Sequence, residues 1–126
     1  KYVKGVEYTS FILNGQVFPT IRITSDNEFF DFEAKYSTTN GAREEVVELS
    51  PELDKKLKEA SNTCWKIFNC KGYVRVDYII TEDQDVYLLE LNTLPGMTET
   101  SLIPKSAKAM GISYQGLLDK LIESSL

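Results

Sequence analysis

Polar side chains recur along two neighbouring apolar segments within residues 73–92, and their types could bind a metal ion. The first segment carries Arg75 and Asp77, and the second carries Glu90 and Asn92. Carboxylate and amide oxygens are ligands that Mg²⁺ and Mn²⁺ prefer, whereas zinc prefers histidine and cysteine. The chain has no histidine, which excludes Ser-His and Cys-His catalysis and the usual zinc sites. Because Mg²⁺ commonly completes its shell with substrate phosphates, the pattern indicates a nucleotide ligand.

Residues 73–81 and 86–92 are predicted to be the two strands of a β-hairpin, because apolar side chains alternate along both. With Thr81 placed opposite Val86, the polar pairs on one face are Asp77 with Glu90, and Arg75 with Asn92. The side chains expected in the core on the other face are Val74, Val76, Tyr78, Ile80, Tyr87, Leu89 and Leu91. A shift by one residue would turn one of these apolar sets outward, so burial restricts the register.

Carboxylates directly opposite each other in a sheet repel, and a divalent cation between Asp77 and Glu90 would remove this conflict. The alternative is a solvated outer face, on which Arg75 makes ordinary surface ion pairs. The following loop favours a binding site. Gly96 offers a backbone N–H that can approach an oxyanion closely, and Ser101 adds a hydroxyl nearby.

These residues resemble the C-terminal signature of D-alanine–D-alanine ligases, which are ATP-grasp enzymes of peptidoglycan synthesis. The likeness covers nearly the whole chain in the family's order. An Asp followed by a Glu-x-Asn set would alone indicate only the wider ATP-grasp class. The segments that carry the resemblance are Val6-Glu7-Tyr8-Thr9, Phe32-Glu33-Ala34-Lys35-Tyr36, Arg75-Val76-Asp77, Leu89-Glu90-Leu91-Asn92-Thr93-Leu94-Pro95-Gly96-Met97-Thr98 and Ser101-Leu102-Ile103-Pro104.

The resemblance implies roles at the nucleotide and the metal. Asp77, Glu90 and Asn92 would hold two Mg²⁺ or Mn²⁺ ions on the phosphates of ATP. The residues implied to bind the nucleotide are Glu7 at the ribose, Lys35 at the phosphates, Leu89 and Glu90. Structural alternatives are an exposed strand position for Glu7 and a solvated strand edge for Lys35.

The resemblance also implies roles at the reacting groups. Arg75 and the backbone N–H of Gly96 would stabilise the oxyanion of a tetrahedral intermediate. Ser101 and the backbone of Leu102 would receive the carboxylate of the second D-alanine, and Tyr36 would help to close a mobile loop. The structural alternatives are a helix cap for Ser101 and a core or edge aromatic for Tyr36.

The implied reaction joins two D-alanines through an acylphosphate, with ATP converted to ADP and phosphate. Because members of the family are longer, we expect residues 1–126 to be the C-terminal portion of the ATP-grasp domain. The N-terminal and central domains would be its partners, with a homodimer when full length. We expect this portion to be inactive alone. Alternatives are a ligase with another acceptor, such as D-lactate, or a non-catalytic metal- or nucleotide-binding module.

The amino-acid composition limits the possible class of protein and its partners. The 126 residues are 42% hydrophobic with 11% aromatics, which fits one domain with a substantial core and excludes intrinsic disorder. A net charge of −5 argues against partners such as nucleic acid or an anionic membrane. The apolar runs are too short for a transmembrane helix, and residues 1–5 lack the apolar region of a signal peptide. Cys64 and Cys70 are predicted to be reduced thiols of a cytoplasmic protein.

The elements that must position these residues begin with strands. A β-hairpin is predicted from residues 6–13 and 16–24, joined by Asn14-Gly15, which is the strongest short hairpin signal. A further strand is predicted at residues 29–32. Residues 37–45 are polar and rich in turn formers, which predicts an exposed loop.

Helices are predicted on either side of the second hairpin. One begins at Ser50-Pro51 and ends near Gly72, a short one covers residues 105–110, and the last begins at Ser113. The apolar positions predicted to face the core are Leu53, Leu57, Ala60, Cys64, Ile67 and Phe68 in the first helix, and Tyr114, Leu117, Leu118, Leu121 and Ile122 in the last. This order predicts an α+β fold, the ATP-grasp C-terminal domain implied above, in which an antiparallel sheet has helices packed on one face.

Overall fold

A computed structural model of the chain describes residues 2–24 and 43–126. Within these ranges, six strands form one antiparallel sheet against which three helices pack. In chain order the elements are β1 (Val6–Leu13), β2 (Gln16–Val17), β3 (Ile21–Thr24), β4 (Arg43–Val46), α1 (Pro51–Ile67), β5 (Tyr73–Ile80), β6 (Val86–Asn92), α2 (Leu102–Ala109) and α3 (Tyr114–Ser124). None of the helices in these ranges has both the length and the apolar character needed to span a bilayer.

The sheet has the strand order β4–β3–β1–β5–β6, with β2 paired to the end of β1. The predicted turn between β1 and β2 is confirmed, because Asn14 and Gly15 have positive φ angles of 49° and 82°, as a two-residue hairpin turn requires. The predicted strand over residues 16–24 is interrupted between β2 and β3. Pro19 lies in this gap, and it has no backbone N–H to donate to the ladder.

Helix α1 begins where the sequence predicts. Ser50 is the N-cap, and its Oγ accepts a hydrogen bond from the backbone N–H of Leu53 at 3.3 Å. Pro51 occupies the first helical position, where its missing N–H removes no intrahelical bond. Leu53, Leu57 and Cys64 are buried as expected, so this part of the predicted stripe is confirmed.

The end of α1 differs from the prediction. The helix ends at Ile67 rather than near Gly72, and Asn69 has a left-handed φ of 49° that turns the chain away. The side chains of Ile67 and Phe68 are 71% and 64% exposed. The prediction that they belong to the core face is therefore wrong.

Helices cover both faces of the sheet. Helix α1 packs on the face that contains Ile12 and Val76, while α2 and α3 pack on the face that contains Phe11 and Leu13. The predicted α+β class with an antiparallel sheet is confirmed, but the expectation of helices on one face is wrong. The reason is that three consecutive residues of β1, Phe11 to Leu13, are buried, and successive strand residues point to opposite faces.

Helix α2 begins at Leu102, earlier than the predicted residue 105. Pro104 is accommodated because it lies in the first turn, where backbone N–H groups have no intrahelical partner. Helix α3 starts as predicted, with the Ser113 Oγ accepting from the backbone N–H of Gly116 at 3.0 Å. Its predicted core face is correct at Leu117 and Leu121 but wrong at Ile122, which is 62% exposed.

The predicted loop over residues 37–45 is corrected at its end. Arg43 to Glu45 belong to β4, which pairs with β3, and an ion pair of 2.6 Å between Arg22 and Glu45 supports this pairing. The predicted strand at residues 29–32 and the rest of the loop lie outside the described residues.

Candidate functional site

The polar residues of β5 and β6 pair as the sequence predicts. Asp77 lies opposite Glu90, and Arg75 lies opposite Asn92. On its other side Arg75 pairs with Phe11 of β1, which belongs to the core beneath α2 and α3. The four polar residues therefore point to the face that these two helices partly cover.

A β-bulge lies immediately beside this cluster. Asp77 pairs with Glu90, but the next residue, Tyr78, pairs with Leu88, which leaves Leu89 as the extra residue of β6. Towards the turn, every residue of β6 is therefore displaced by one position relative to the predicted register.

The bulge corrects the predicted core face of β6. Ile80, and not Thr81, lies opposite Val86. Tyr87 and Leu89 are 46% and 49% exposed, so their predicted burial is wrong. The core members that these strands do supply are Val74, Val76, Tyr78 and Ile80 of β5, with Val86 and Leu91 of β6 packed against them.

The Asp77 carboxylate is held by hydrogen bonds within the sheet, and the residue is 1% exposed. Arg75 donates from Nε to Oδ1 and from Nη2 to Oδ2, both at 3.0 Å. Thr9 of β1 donates its hydroxyl to Oδ1 at 2.6 Å. Bidentate, charge-assisted bonds of this kind fix direction as well as distance. A solvated outer face is thus excluded for Asp77 and Arg75.

Arg75 also lies close to the second carboxylate. Its Nη2 is 3.6 Å from Oε1 of Glu90, whose side chain is 54% exposed against 5% for Arg75. The guanidinium therefore offsets the repulsion between Asp77 and Glu90 that the register creates. The juxtaposition therefore does not by itself require a bound cation, because the chain itself provides a positive charge.

Asn92 shapes the loop that follows β6. Its Oδ1 accepts a hydrogen bond from the backbone N–H of Leu94 at 2.9 Å, a local turn that asparagine favours. Pro95 is buried, whereas Gly96 is exposed at the surface of the loop. A Cβ placed on Gly96 would lie 3.4 Å from the Ser101 Oγ, so a larger residue would crowd the serine hydroxyl.

Ser101 lies at the N-cap position of α2, but its side chain makes no capping hydrogen bond. Instead its Oγ is 2.6 Å from Oγ1 of Thr98. The loop is anchored to α3 because the Tyr114 hydroxyl donates to the Met97 carbonyl at 2.7 Å. Ser101 is therefore the N-cap residue of α2, as the structural alternative predicts, but its hydroxyl does not cap the helix.

The sheet cluster extends beneath the start of α2. Thr9, Arg75, Leu102 and Ser106 line one narrow space between the sheet and this helix. Leu102 is 8% exposed and packs on Ile21 and Ile23. The buried Arg75 and the first residue of α2, Leu102, therefore border the same space.

The remaining candidates differ in how far the structure describes them. Glu7 is half-buried on β1 and lies on the same face as Thr9, two positions away. Leu89 lies at the bulge, and its side chain is half-exposed. Lys35 and Tyr36 lie outside the described residues.

The oxygen donors fit a hard cation in type. Asp77, Glu90 and Asn92 supply two carboxylates and an amide oxygen from paired strands. The bonds to Asp77 do not by themselves exclude a metal, because a carboxylate offers about four lone-pair sites. Among the residues the structure describes, no group of three histidine, cysteine, aspartate or glutamate residues could hold a metal, so the amide oxygen is needed.

The two cysteines play no part in this cluster. Both are free thiols, in agreement with the prediction, and burial raises the pKa of Cys64 and of Cys70. Such thiols remain protonated near neutral pH, which is unfavourable for nucleophilic catalysis or metal binding.

Two residues near the site were not identified from the sequence. Thr98 holds the Ser101 hydroxyl, and Thr9 holds Asp77. The sequence indicates Thr9 only as a polar residue in a predicted strand. Its bond to Asp77 depends on the pairing of β1 with β5, and the two residues are 68 positions apart in the chain.

Comparison with known proteins gives one consistent result. The family model described as "D-ala D-ala ligase C-terminus" matches residues 1–123. The D-alanine–D-alanine ligase A of Bacillus cereus is 49% identical over 126 residues, which are 100% of this chain and 41% of that protein. The chain thus spans about two fifths of the length of this relative.

Solved structures agree. The D-alanine–D-alanine ligase of Bacillus anthracis complexed with ATP is similar with a TM-score of 0.85 and 45% identity, over 99% of this chain and 39% of that one. The D-Ala:D-Ser ligase of Enterococcus faecalis is similar with a TM-score of 0.79 and 29% identity, over 100% of this chain and 38% of that one.

Proposed function

Because the chain belongs to the family of D-Ala–D-Ala ligase C-terminal domains, we propose that it forms the ATP-binding and catalytic part of a ligase that joins two D-alanines. The observation that carries the proposal is the buried Arg75–Asp77 pair facing Glu90 across the strands. Charged groups that are brought close together by burial are often found at functional sites.

The acidic cluster is the proposed metal centre. Asp77, Glu90 and Asn92 would hold two Mg²⁺ or Mn²⁺ ions, and their donor types support this assignment. Bound cations would neutralise charge on the phosphoryl group of ATP. Glu7, Leu89 and Glu90 are proposed to contact the nucleotide, because Glu7 and Glu90 share the face of Asp77 and Leu89 lies beside Glu90 at the bulge. Lys35 is proposed to contact the phosphates from the segment outside the described residues.

The proposed chemistry has two steps. The γ-phosphoryl group of ATP is transferred to the carboxylate of the first D-alanine, giving an acylphosphate and ADP. The amine of the second D-alanine then attacks the acyl carbon, and phosphate leaves. Arg75 and the backbone N–H of Gly96 would stabilise the oxyanion of this second step, and one such donor contributes about 2.7–4 kcal/mol.

The acceptor would bind at the start of α2. The Ser101 hydroxyl and the Leu102 backbone are proposed to receive the carboxylate of the second D-alanine, since Leu102 lines the same space as Arg75 and Ser101 immediately precedes it. Tyr36 is proposed to close a loop over the site. Closure would exclude water, which strengthens every charged interaction inside.

The proposal extends to the partners of this chain. N-terminal and central domains would supply the first D-alanine site and the other wall of the nucleotide cleft, as the greater length of the relatives supports. The full-length enzyme is proposed to be a homodimer. Free thiols and the use of ATP favour the cytoplasm as its location.

The second candidate is the same ligase with another acceptor. The likeness to a D-Ala:D-Ser ligase favours it, although the identity to D-alanine–D-alanine ligases is higher. Assays of the full-length protein with D-alanine, D-serine and D-lactate as acceptors decide between them. We expect D-alanine to be used with the highest kcat/KM.

The proposed function is tested by D-alanine-dependent release of ADP from the full-length protein. Asp77→Asn keeps the size of the side chain but removes its charge, and we expect a decrease in kcat of at least about a hundredfold. Lys55→Gln is the control, because Lys55 is 76% exposed on α1. If the unchanged protein binds nucleotide with Mg²⁺ but releases no ADP with D-alanine, the chain belongs to a non-catalytic module instead.

A further inference from the structure

Thr9 lies on a central strand of the sheet and has no part in the proposed chemistry described above. It is 3% exposed, and the register places it opposite Asp77 on one side and Ile21 on the other. A β-branched side chain in a buried strand has little rotational freedom. Its hydroxyl is therefore held in a fixed direction by packing.

The Thr9 hydroxyl has a clear preferred acceptor. Its Oγ1 is 2.6 Å from Oδ1 of Asp77 and 3.2 Å from the Val76 carbonyl oxygen. A hydroxyl has one proton to donate, and an ionised carboxylate can only accept. The shorter contact is thus the main hydrogen bond, and it is charge-assisted.

This bond differs from the two that Arg75 makes. Arg75 and Asp77 are two residues apart on the same strand, so the bonds between them do not connect Asp77 to a neighbouring strand. Thr9 belongs to the neighbouring strand β1. Its bond is therefore a link that ties the orientation of this ion pair to a second strand.

We propose that Thr9 is a positioning residue, which holds the Asp77 carboxylate in its metal-binding orientation and, through Asp77, directs the guanidinium of Arg75. This inference rests on the proposed function, in which Asp77 is a metal ligand. Thr9 itself acts only through Asp77. Hydrogen-bond partners of metal ligands commonly change metal affinity by about 10–100-fold when they are removed.

The test compares variants of the full-length protein that differ at the hydroxyl. Thr9→Val keeps the shape and removes the donor, Thr9→Ala removes it without adding bulk, and Thr9→Ser keeps it. Thr20→Val is the matched control, because Thr20 is also buried, at 6% exposure, immediately before β3, and its hydroxyl lies next to Ser10 instead. Asp77→Asn is included to test the metal assignment itself.

Two readouts are measured for each variant whose thermal unfolding shows a folded protein. The first is the dissociation constant of Mn²⁺ in the presence of ADP, from the electron paramagnetic resonance signal of free Mn²⁺. The second is the pair of steady-state constants, kcat and KM for D-alanine, which are determined separately. We expect Thr9→Val and Thr9→Ala to weaken Mn²⁺ binding by at least about tenfold and to lower kcat with little change in KM. Thr9→Ser and Thr20→Val should remain within about twofold of the unchanged protein.

The outcomes separate the two proposals. If Asp77→Asn weakens Mn²⁺ binding and Thr9→Val and Thr9→Ala do not, the role of Thr9 is overturned and the metal assignment stands. If Asp77→Asn binds Mn²⁺ like the unchanged protein, the metal assignment fails, and the role of Thr9 fails with it. Loss of Mn²⁺ affinity in Thr20→Val as large as in Thr9→Val would also overturn the inference, because any buried threonine would then have the same effect.

Discussion

Arg75 and Asp77 form an ion pair whose side chains are 5% and 1% exposed. At such burial the desolvation of each charge is large, and it is offset only when geometry is good and further hydrogen bonds are made. The bidentate contact and the Thr9 hydroxyl meet that condition. The stability of the fold should therefore decrease when either member of the pair is lost.

Replacing Arg75 tests this sensitivity. Arg75→Met leaves the Asp77 carboxylate buried without its guanidinium, and we expect the free energy of unfolding to fall by about 3–5 kcal/mol. The control is Arg22→Met, because the Arg22–Glu45 pair is 41% and 51% exposed and should contribute much less to stability than the buried pair. Urea denaturation at pH 7 measures both. Equal losses in the two variants would contradict the energetic distinction between buried and exposed pairs.

Tyr78 predicts a pH dependence. Burial raises the pKa of its phenol above the ordinary value of 10.0, with the hydrogen bond to Ser61 acting in the opposite direction. The phenol is neutral in both states below about pH 10, so its contribution is fully present there. Above that pH the unfolded chain releases the proton and the folded chain retains it, so the free energy of unfolding falls as pH rises.

Tyr78→Phe should therefore show a shallower alkaline decline. We expect the slope of the unfolding free energy above about pH 10 to change by up to about 1.4 kcal/mol per pH unit. At pH 8 the variant should be less stable by about 1–3 kcal/mol, because Ser61 loses its buried partner. Urea denaturation between pH 8 and pH 11.5 gives both values. An unchanged slope would show that Tyr78 ionises normally in the folded protein.

The sequence carries enough information to pair Asp77 with Glu90 and Arg75 with Asn92, because two polar residues two apart on each strand must share a face. It does not show that Arg75 would neutralise both carboxylates, since that depends on the direction of a long side chain. The contact of Thr9 with Asp77 could not be predicted for another reason, because it requires knowledge that β1 lies beside β5.

At the scale of elements, two helix starts look alike in sequence and differ in structure. Ser50 caps α1 through its side chain, whereas Ser101 occupies the same position in α2 without that bond. Ser50→Ala should lower the unfolding free energy by about 1 kcal/mol, and Ser101→Ala should change it by less than about 0.5 kcal/mol. In the full-length protein, Ser101→Ala should instead raise KM for the second D-alanine. Urea denaturation and steady-state kinetics measure these effects, and equal destabilisation would assign Ser101 a purely structural role.

The elements also show where local patterns stop being informative. The alternation in β6 correctly placed Glu90 and Asn92, yet Tyr87 and Leu89 are exposed because of the bulge. A bulge is a response to the packing of neighbouring strands, which no short pattern contains. In the same way, the helix periodicity predicts which side of α1 is apolar but not that α2 and α3 lie on the opposite face of the sheet.

At the scale of the whole molecule, the two faces of the sheet differ: one packs an apolar core, and the other carries the proposed site. The α1 face is closed by an apolar core. The opposite face is covered by α2 and α3 at one end, while Glu90 at the cluster remains 54% exposed. The proposed site is therefore firmly positioned but open to water along β6.

This openness leads to the last prediction, which concerns the purified 126-residue chain. Transfer of a phosphoryl group to a carboxylate requires both substrates to be positioned together and water to be excluded. The described face offers one wall of such a cleft, and the relatives are more than twice as long as the chain. We expect the chain alone to release no ADP in response to D-alanine, whereas the full-length protein does so. Formation of the dipeptide by the purified chain would show that these residues suffice for the reaction.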